Sequence, residues 1–229
     1  MNRRMGGPLC GWDSFPHNST FGRRFKLFQQ VHCHELSEAE NEARRKVWSK
    51  QWFGRVTLDL DSSVRGVYGS QEGAAKGYNP HNKGQKSYHP LFCFIAENRE
   101  CPHNWFRGGD AYSGNGAVEF VKECHSRLPK RLRLIVWRGD SAFFNSTTMD
   151  TLEERQGQSL FKVSFKGLEK LLMAQSWRPL RRRPGWEGAV FAYRCHGWKR
   201  ARRLVAVRRL VQENTAGRLF PQPQYEFFC

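Results

Sequence analysis

Acidic residues are scarce in this chain: across 229 residues, 21 Asp and Glu stand against 38 Lys and Arg, a formal charge of +17. A surface so unbalanced attracts polyanions, nucleic acid ahead of anionic membrane. Long apolar runs are missing as well. No stretch approaches the roughly 18 apolar residues a membrane span needs, and the amino terminus, MNRRMGGPLCGWDSF, starts basic but lacks the apolar segment of a secretory signal. The seven cysteines are odd in number and scattered, which suits a reducing cytoplasm better than a disulfide framework. The VHCHE stretch at 31–35 has neither a C-x₂-C nor an H-x₃₋₅-H pair beside it, so zinc is not expected.

Apolar material is plentiful. Hydrophobic residues make up 39% of the chain, with eight Trp and seventeen Phe, enough to build one well-cored domain with an appendage. Three segments follow from the pattern: an irregular and helical amino-terminal segment (1–54), an α/β core (55–166) and a basic, β-rich subdomain (167–229). In the first, SEAENEARRKVWSKQW predicts a helix capped by Ser37, with acids early and bases late as the helix dipole prefers. In the core, the order is strand, strand, strand, helix, strand, helix, strand. RVTLDLDSSV is the first strand, SYHPLFCFIAE reads as one buried strand, and RLRLIVWRGD is a strand ending on Asp140. Asn145 or Ser146 caps the helix that follows. The glycine-rich stretch at 65–90 predicts an extended loop or irregular hairpin. Strands that meander and then alternate with helices imply a mixed sheet flanked by helices.

The first strand poses a chemical question. Its side chains alternate, so Val56, Leu58 and Leu60 share one face while Thr57, Asp59, Asp61 and Ser63 share the other. Two carboxylates about 4 Å apart repel by about 4 kcal/mol at an effective dielectric near 20, so such groups want a cation. Asp61 and Asp140 both end apolar strands, and if those strands are adjacent and parallel the two carboxylates converge into a metal site. Asp59 is expected to be a hydrogen-bonded structural acid, with an outer-sphere role as the alternative.

The last segment concentrates the positive charge. Arg181, Arg182 and Arg183, then Lys199, Arg200, Arg202 and Arg203, interleave with Trp186 and Trp198, a composition that grips phosphates and stacks on bases. These are the candidate DNA-binding residues. In the 65–90 loop, Lys76, His81, Lys83 and Lys86 are candidates for the same role.

VTLDLDSSV, YGSQEGAAKGYNPHNKGQKSYHPL and RGDSAFFN resemble, in order and spacing, the DDE group 1 transposases of bacterial insertion sequences, and the likeness starts near HNSTFGRRF. The resemblance implies an RNase H-like mixed sheet with a β-rich insertion after the fifth strand. It implies Mg²⁺, with Mn²⁺ able to substitute, held by Asp61 and Asp140 as catalytic acids. It further implies double-stranded DNA, at element ends and target, as partner, a bacterial cytoplasmic setting, no membrane, and a homodimer in full-length members. The family's third carboxylate lies in Y-x₂-R-x₃-E, and neither Tyr193 nor Tyr225 begins that pattern; Glu226 reads as a strand residue. The expectation is therefore a transposase truncated before its third acid and catalytically incomplete. The alternatives are a non-catalytic nucleic-acid-binding remnant and a metal-dependent RNase H-like nuclease.

Overall fold

The computed structural model describes residues 16–50, 54–79, 82–155, 157–211 and 224–229. The chain divides into two compact units, Met1–Trp52 and Phe53–Cys229. The first unit contains helix α1 (Asn18–Phe25) and helix α2 (Gln30–Ser49). α2 begins earlier than expected, and Ser37 lies inside it. Its start is set by a local cap instead: the Gln29 N–H donates to His32 Nδ1 at 3.0 Å, and nothing between 30 and 37 breaks a helix. Glu40 with Arg44 (2.7 Å) and Glu42 with Lys46 (3.0 Å) pair four residues apart along it, the favourable acid-before-base order.

The second unit is built on a five-stranded sheet. Strand β1 (Arg55–Ser62) sits at its centre, antiparallel to β5 (Leu91–Ile95), which in turn pairs with β6 (His103–Trp105). On the other side β1 runs parallel to β7 (Leu134–Gly139), and β7 parallel to β8 (Gln158–Phe161). Both parallel steps pass through helices, α3 (Ala117–Ser126) before β7 and α4 (Ser146–Glu154) before β8. This is the mixed, RNase H-like sheet the sequence implied. α4 is capped by Asn145, whose side chain accepts from Thr148 N–H at 2.9 Å.

The core lies on the aliphatic face of β1. Val56, Leu58, Leu60, Leu91, Cys93, Ile95 and Trp137 are buried together with Phe120, Val121 and Cys124 of α3 and Leu152 of α4. Each such large side chain contributes about 1.5–3 kcal/mol relative to exposure. Gly139 ends β7 where that core is tight: a Cβ there would meet the Phe161 ring at 2.8 Å and the Phe143 ring at 3.0 Å.

One expectation is narrowed here and one corrected. Of the two forms expected for the glycine-rich stretch, the structure has the hairpin-like one, a small antiparallel sheet of β2 (Arg65–Gly66), β4 (Lys86–Tyr88) and β3 (Ala75–Lys76). It packs so closely on the turn at 108–110 that a Cβ at Gly109 would lie 2.3 Å from Ser87 Oγ. The single strand read in SYHPLFCFIAE is two, β4 and β5, broken at His89–Pro90. Pro90 has no N–H to continue a ladder, and the His89 N–H pairs with the Arg107 carbonyl at 2.9 Å.

After helix α5 (Leu168–Met173) comes a separate antiparallel sheet of β9 (Arg178–Pro179), β10 (Trp186–Tyr193), β11 (Arg202–Val211) and β12 (Gln224–Phe228). Its inner face buries Ala189, Leu204 and Ala206, while Val190 and Val205, paired on the opposite face, stay exposed.

Candidate active site

The parallel register of β1 and β7 ends with Leu60 opposite Gly139. The next residues are Asp61 and Asp140, so the two acids leave neighbouring strands at the same edge, where adjacent strands lie about 4.8 Å apart across the sheet. Both side chains are exposed. Each is oriented by one backbone donor. Ser62 N–H donates to Asp61 Oδ1 at 2.8 Å, and Ala142 N–H donates to Asp140 Oδ1 at 3.0 Å, with Asp140 capping the short 3₁₀ turn Ser141–Phe143. Oδ2 of each is left without a protein partner among the described residues.

Asp59 does not join them. Arg138, its register partner on β7, grips it with both arms: Nε to Oδ1 at 2.6 Å and a terminal nitrogen to Oδ2 at 2.7 Å. This fork satisfies the carboxylate and neutralises it one dipeptide step before Asp61. Asp59 is thus the structural acid of the pair, and its partner Arg138 went unnoticed in the sequence because it lies on a distant strand.

A second missed group adjoins Asp61. His89, 3% exposed, places Nε2 at 3.1 Å from Ser62 Oγ and 3.3 Å from Ser113 Oγ, and Nδ1 at 2.6 Å from the Ala111 carbonyl. The signal in the sequence was the His-Pro step itself, which interrupts an otherwise continuous strand.

Hard oxygen donors on neighbouring strands suit a hard divalent cation. Among the described residues no group of three His, Cys, Asp or Glu side chains is arranged to hold a metal. Glu187 and Glu226 lie on the second sheet, paired at 2.7 Å with Arg208 and Arg209 respectively.

The basic residues fall into two sets. Arg181 and Arg182 are exposed in the turn between β9 and β10, Arg183 lies over the Trp186 ring at 5.5 Å, and Arg203 is exposed on β11. Lys199, Arg200, Arg202 and Trp198 instead form a clasp onto α4. Arg202, whose side chain is 10% exposed, bonds Asp150 and Glu153 at 2.6 Å each; Arg200 reaches Glu153 at 3.0 Å and Lys199 reaches Asp150 at 3.9 Å. Trp198 stacks beneath the Arg202 guanidinium at 4.3 Å and against Phe144 at 4.9 Å. In the small sheet, Lys76, Lys83 and Lys86 are exposed; His81 lies outside the described residues.

Residues 13–219 match the family model of the transposase DDE domain, group 1. The chain belongs to this DDE transposase family. No curated protein matches it. Among solved structures, the DDE domain is similar to a piggyBac transposase in a synaptic complex with hairpin DNA, at 16% identity and a TM-score of 0.45, over 81% of this chain and 38% of that one. It is similar to the catalytic domain of Mos1 mariner transposase at 11% identity and a TM-score of 0.35, over 73% of this chain and 80% of that one. A Mos1 paired-end complex with Mn matches at 12% identity and 0.33, over 70% and 54%. The chain therefore spans well under half the length of the piggyBac chain. No described helix is long and apolar enough to cross a membrane.

Proposed function

We propose that this DDE domain acts on double-stranded DNA at the ends of an insertion-sequence element, with Asp61 and Asp140 as the acids that hold Mg²⁺, or Mn²⁺ in its place. The observation carrying this reading is the shared edge of β1 and β7, where two exposed carboxylates each keep one oxygen without a protein partner. When bound, divalent cations in such a site activate the attacking water or 3′-hydroxyl and stabilise the leaving oxygen of a phosphodiester. The chain's own contribution is orientation. Ser62 N–H and Ala142 N–H fix the two carboxylates, and the Arg138–Asp59 fork leaves Asp59 out of the set of metal ligands.

For DNA, the proposal assigns phosphate contacts to Arg181, Arg182, Arg183 and Arg203, with Trp186 as a stacking surface. Lys199 and Arg200 keep 80% and 56% of their side chains exposed and can reach phosphate from the clasp; Arg202 and Trp198 orient them. A homodimer on paired element ends, in a bacterial cytoplasm, completes the reading.

One observation favours a second reading, a nucleic-acid-binding domain that does not catalyse by itself: no third acid stands beside Asp61 and Asp140 among the described residues. Two-metal chemistry needs enough negative charge to offset the repulsion between the ions. The deciding experiment incubates the purified chain with supercoiled plasmid and linear element ends in Mg²⁺ and in Mn²⁺, beside Asp140→Ala. Nicking or joining that the variant lacks establishes catalysis in this chain. Metal-dependent DNA binding without cleavage establishes the second reading.

A further inference from the structure

Three side chains beside Asp61 form a closed polar cluster that the proposed chemistry does not use. Nδ1 of His89 faces the Ala111 carbonyl at 2.6 Å; a carbonyl oxygen only accepts, so Nδ1 carries the hydrogen. In the neutral ring Nε2 is then an acceptor, and it faces two hydroxyls, Ser62 Oγ and Ser113 Oγ, that are themselves 2.8 Å apart. One serine donates to Nε2 and the other donates to the first, so each hydroxyl uses its single hydrogen inside the cluster.

The cluster is anchored at the joint between β4 and β5. His89 N–H donates to the Arg107 carbonyl at 2.9 Å, Arg107 Nε donates back to the His89 carbonyl at 3.0 Å, and Ser63 N–H donates to the Pro90 carbonyl at 3.2 Å. Ser62 is therefore pinned through its side chain, and its backbone N–H is the group that holds Asp61 Oδ1. His89, buried and bonded at both nitrogens, is not itself a ligand.

We propose that His89 is a positioning residue for Asp61: acting through the Ser62 and Ser113 hydroxyls, it sets the direction in which the Asp61 carboxylate faces a divalent cation. The inference rests on Asp61 being a metal ligand. Partners that orient metal ligands from behind typically change affinity 10- to 100-fold when removed. A residue that merely filled space would respond to its variants by size alone, whereas a positioning residue responds by which nitrogen is replaced.

The test is Mn²⁺ affinity of the full chain, read from the loss of the free-ion electron paramagnetic resonance signal, for wild type, Asp61→Asn, His89→Asn, His89→Gln and Ser62→Ala. The asparagine amide nitrogen stands where Nδ1 stood, so the bond to Ala111 survives while the serine link is lost. The glutamine side chain reaches the place of Nε2 and keeps the link. The expected result is about 10-fold weaker binding in His89→Asn and Ser62→Ala, and binding within about 2-fold of wild type in His89→Gln. Wild-type affinity in Ser62→Ala or His89→Asn, or equal weakening in the two His89 variants, overturns the proposal. Ser62→Ala retains the backbone donor and decides the matter if a His89 variant fails to fold. If Asp61→Asn binds Mn²⁺ like wild type, the metal reading itself falls, an outcome distinct from weakening in Asp61→Asn alone, which removes only the role of His89.

Discussion

In the four-stranded sheet each described acid meets a guanidinium, Glu187 with Arg208 and Glu226 with Arg209. In the five-stranded sheet, Asp61 and Asp140 meet a single backbone N–H apiece. A carboxylate is neutralised by a side-chain cation in one sheet and left charged in the other. A carboxylate paired with arginine already has its charge offset, whereas one held only by a backbone N–H is oriented and keeps its full charge for a cation. The difference separates acids neutralised within the fold from acids left charged at its edge, and β1 carries both kinds two residues apart, Asp59 forked by Arg138 and Asp61 held by a backbone N–H.

The sharpest way to break this comparison is to remove a structural cation. Arg202→Ala takes the main partner from Asp150 and Glu153, whose side chains are only 14% and 25% exposed, and leaves them the exposed Lys199 and Arg200 alone. A loss of about 2 kcal/mol in denaturant unfolding is expected for the lost charge-assisted hydrogen bonds, with Mn²⁺ affinity unchanged. Asp61→Asn should behave in the opposite way. It removes charge without volume from a group that no side chain neutralises, so unfolding should move by less than about 1 kcal/mol while Mn²⁺ binding weakens by at least about 10-fold. Equal stability losses in the two variants would show that acids paired with arginine and acids held by a backbone N–H alone are not different in kind.

The exposed arginines come next in size. Replacing Arg181, Arg182 and Arg183 with Ala should flatten the dependence of log affinity for duplex DNA on log salt by about 0.9 for each phosphate no longer neutralised. The clasp pair Lys199 and Arg200, already turned toward Asp150 and Glu153, should flatten it less per residue. A slope untouched by the triple substitution removes that turn from the DNA interface.

What could be read in the sequence were the features with short-range signatures. Alternation along 55–62 and the apolar run at 134–139 located both strands and the two acids that end them, and Asn145 announced its helix by capping it. The pairing of Asp59 with Arg138 and of Arg202 with Glu153 was illegible, because the partners lie 79 and 49 residues apart and no local pattern joins them. The strands of the small sheet could not be placed within the expected loop or irregular hairpin, because strands of two or three residues carry no periodicity. Among the basic residues, composition could not tell Arg181, on a free turn, from Arg202, drawn into a clasp; only the fold separates them.

The smallest effect tests the comparison within a single sheet, at the end of β1 opposite to Asp61. There Glu97 accepts from Thr57 N–H at 2.9 Å. Burial works against its charged form, but the hydrogen bonds from Thr57 and the nearby Arg55 charge outweigh burial and hold the carboxyl below the usual glutamate range. A folded-state pKa below the unfolded value makes the ionised form a source of stability. That contribution is fully present above about pH 5 and is lost as the pH falls through the ordinary glutamate value near 4.3 and on through the lower folded value. Glu97→Gln keeps a neutral acceptor for Thr57 and so imitates the protonated state at every pH. The variant should therefore be less stable than wild type at pH 7, by well under about 1 kcal/mol because solvent screens the charge, and the gap should close on acidification. A gap that persists at pH 3 would mean that the glutamine disturbs packing, and Glu97 would then no longer serve as the satisfied acid against which Asp61 is measured.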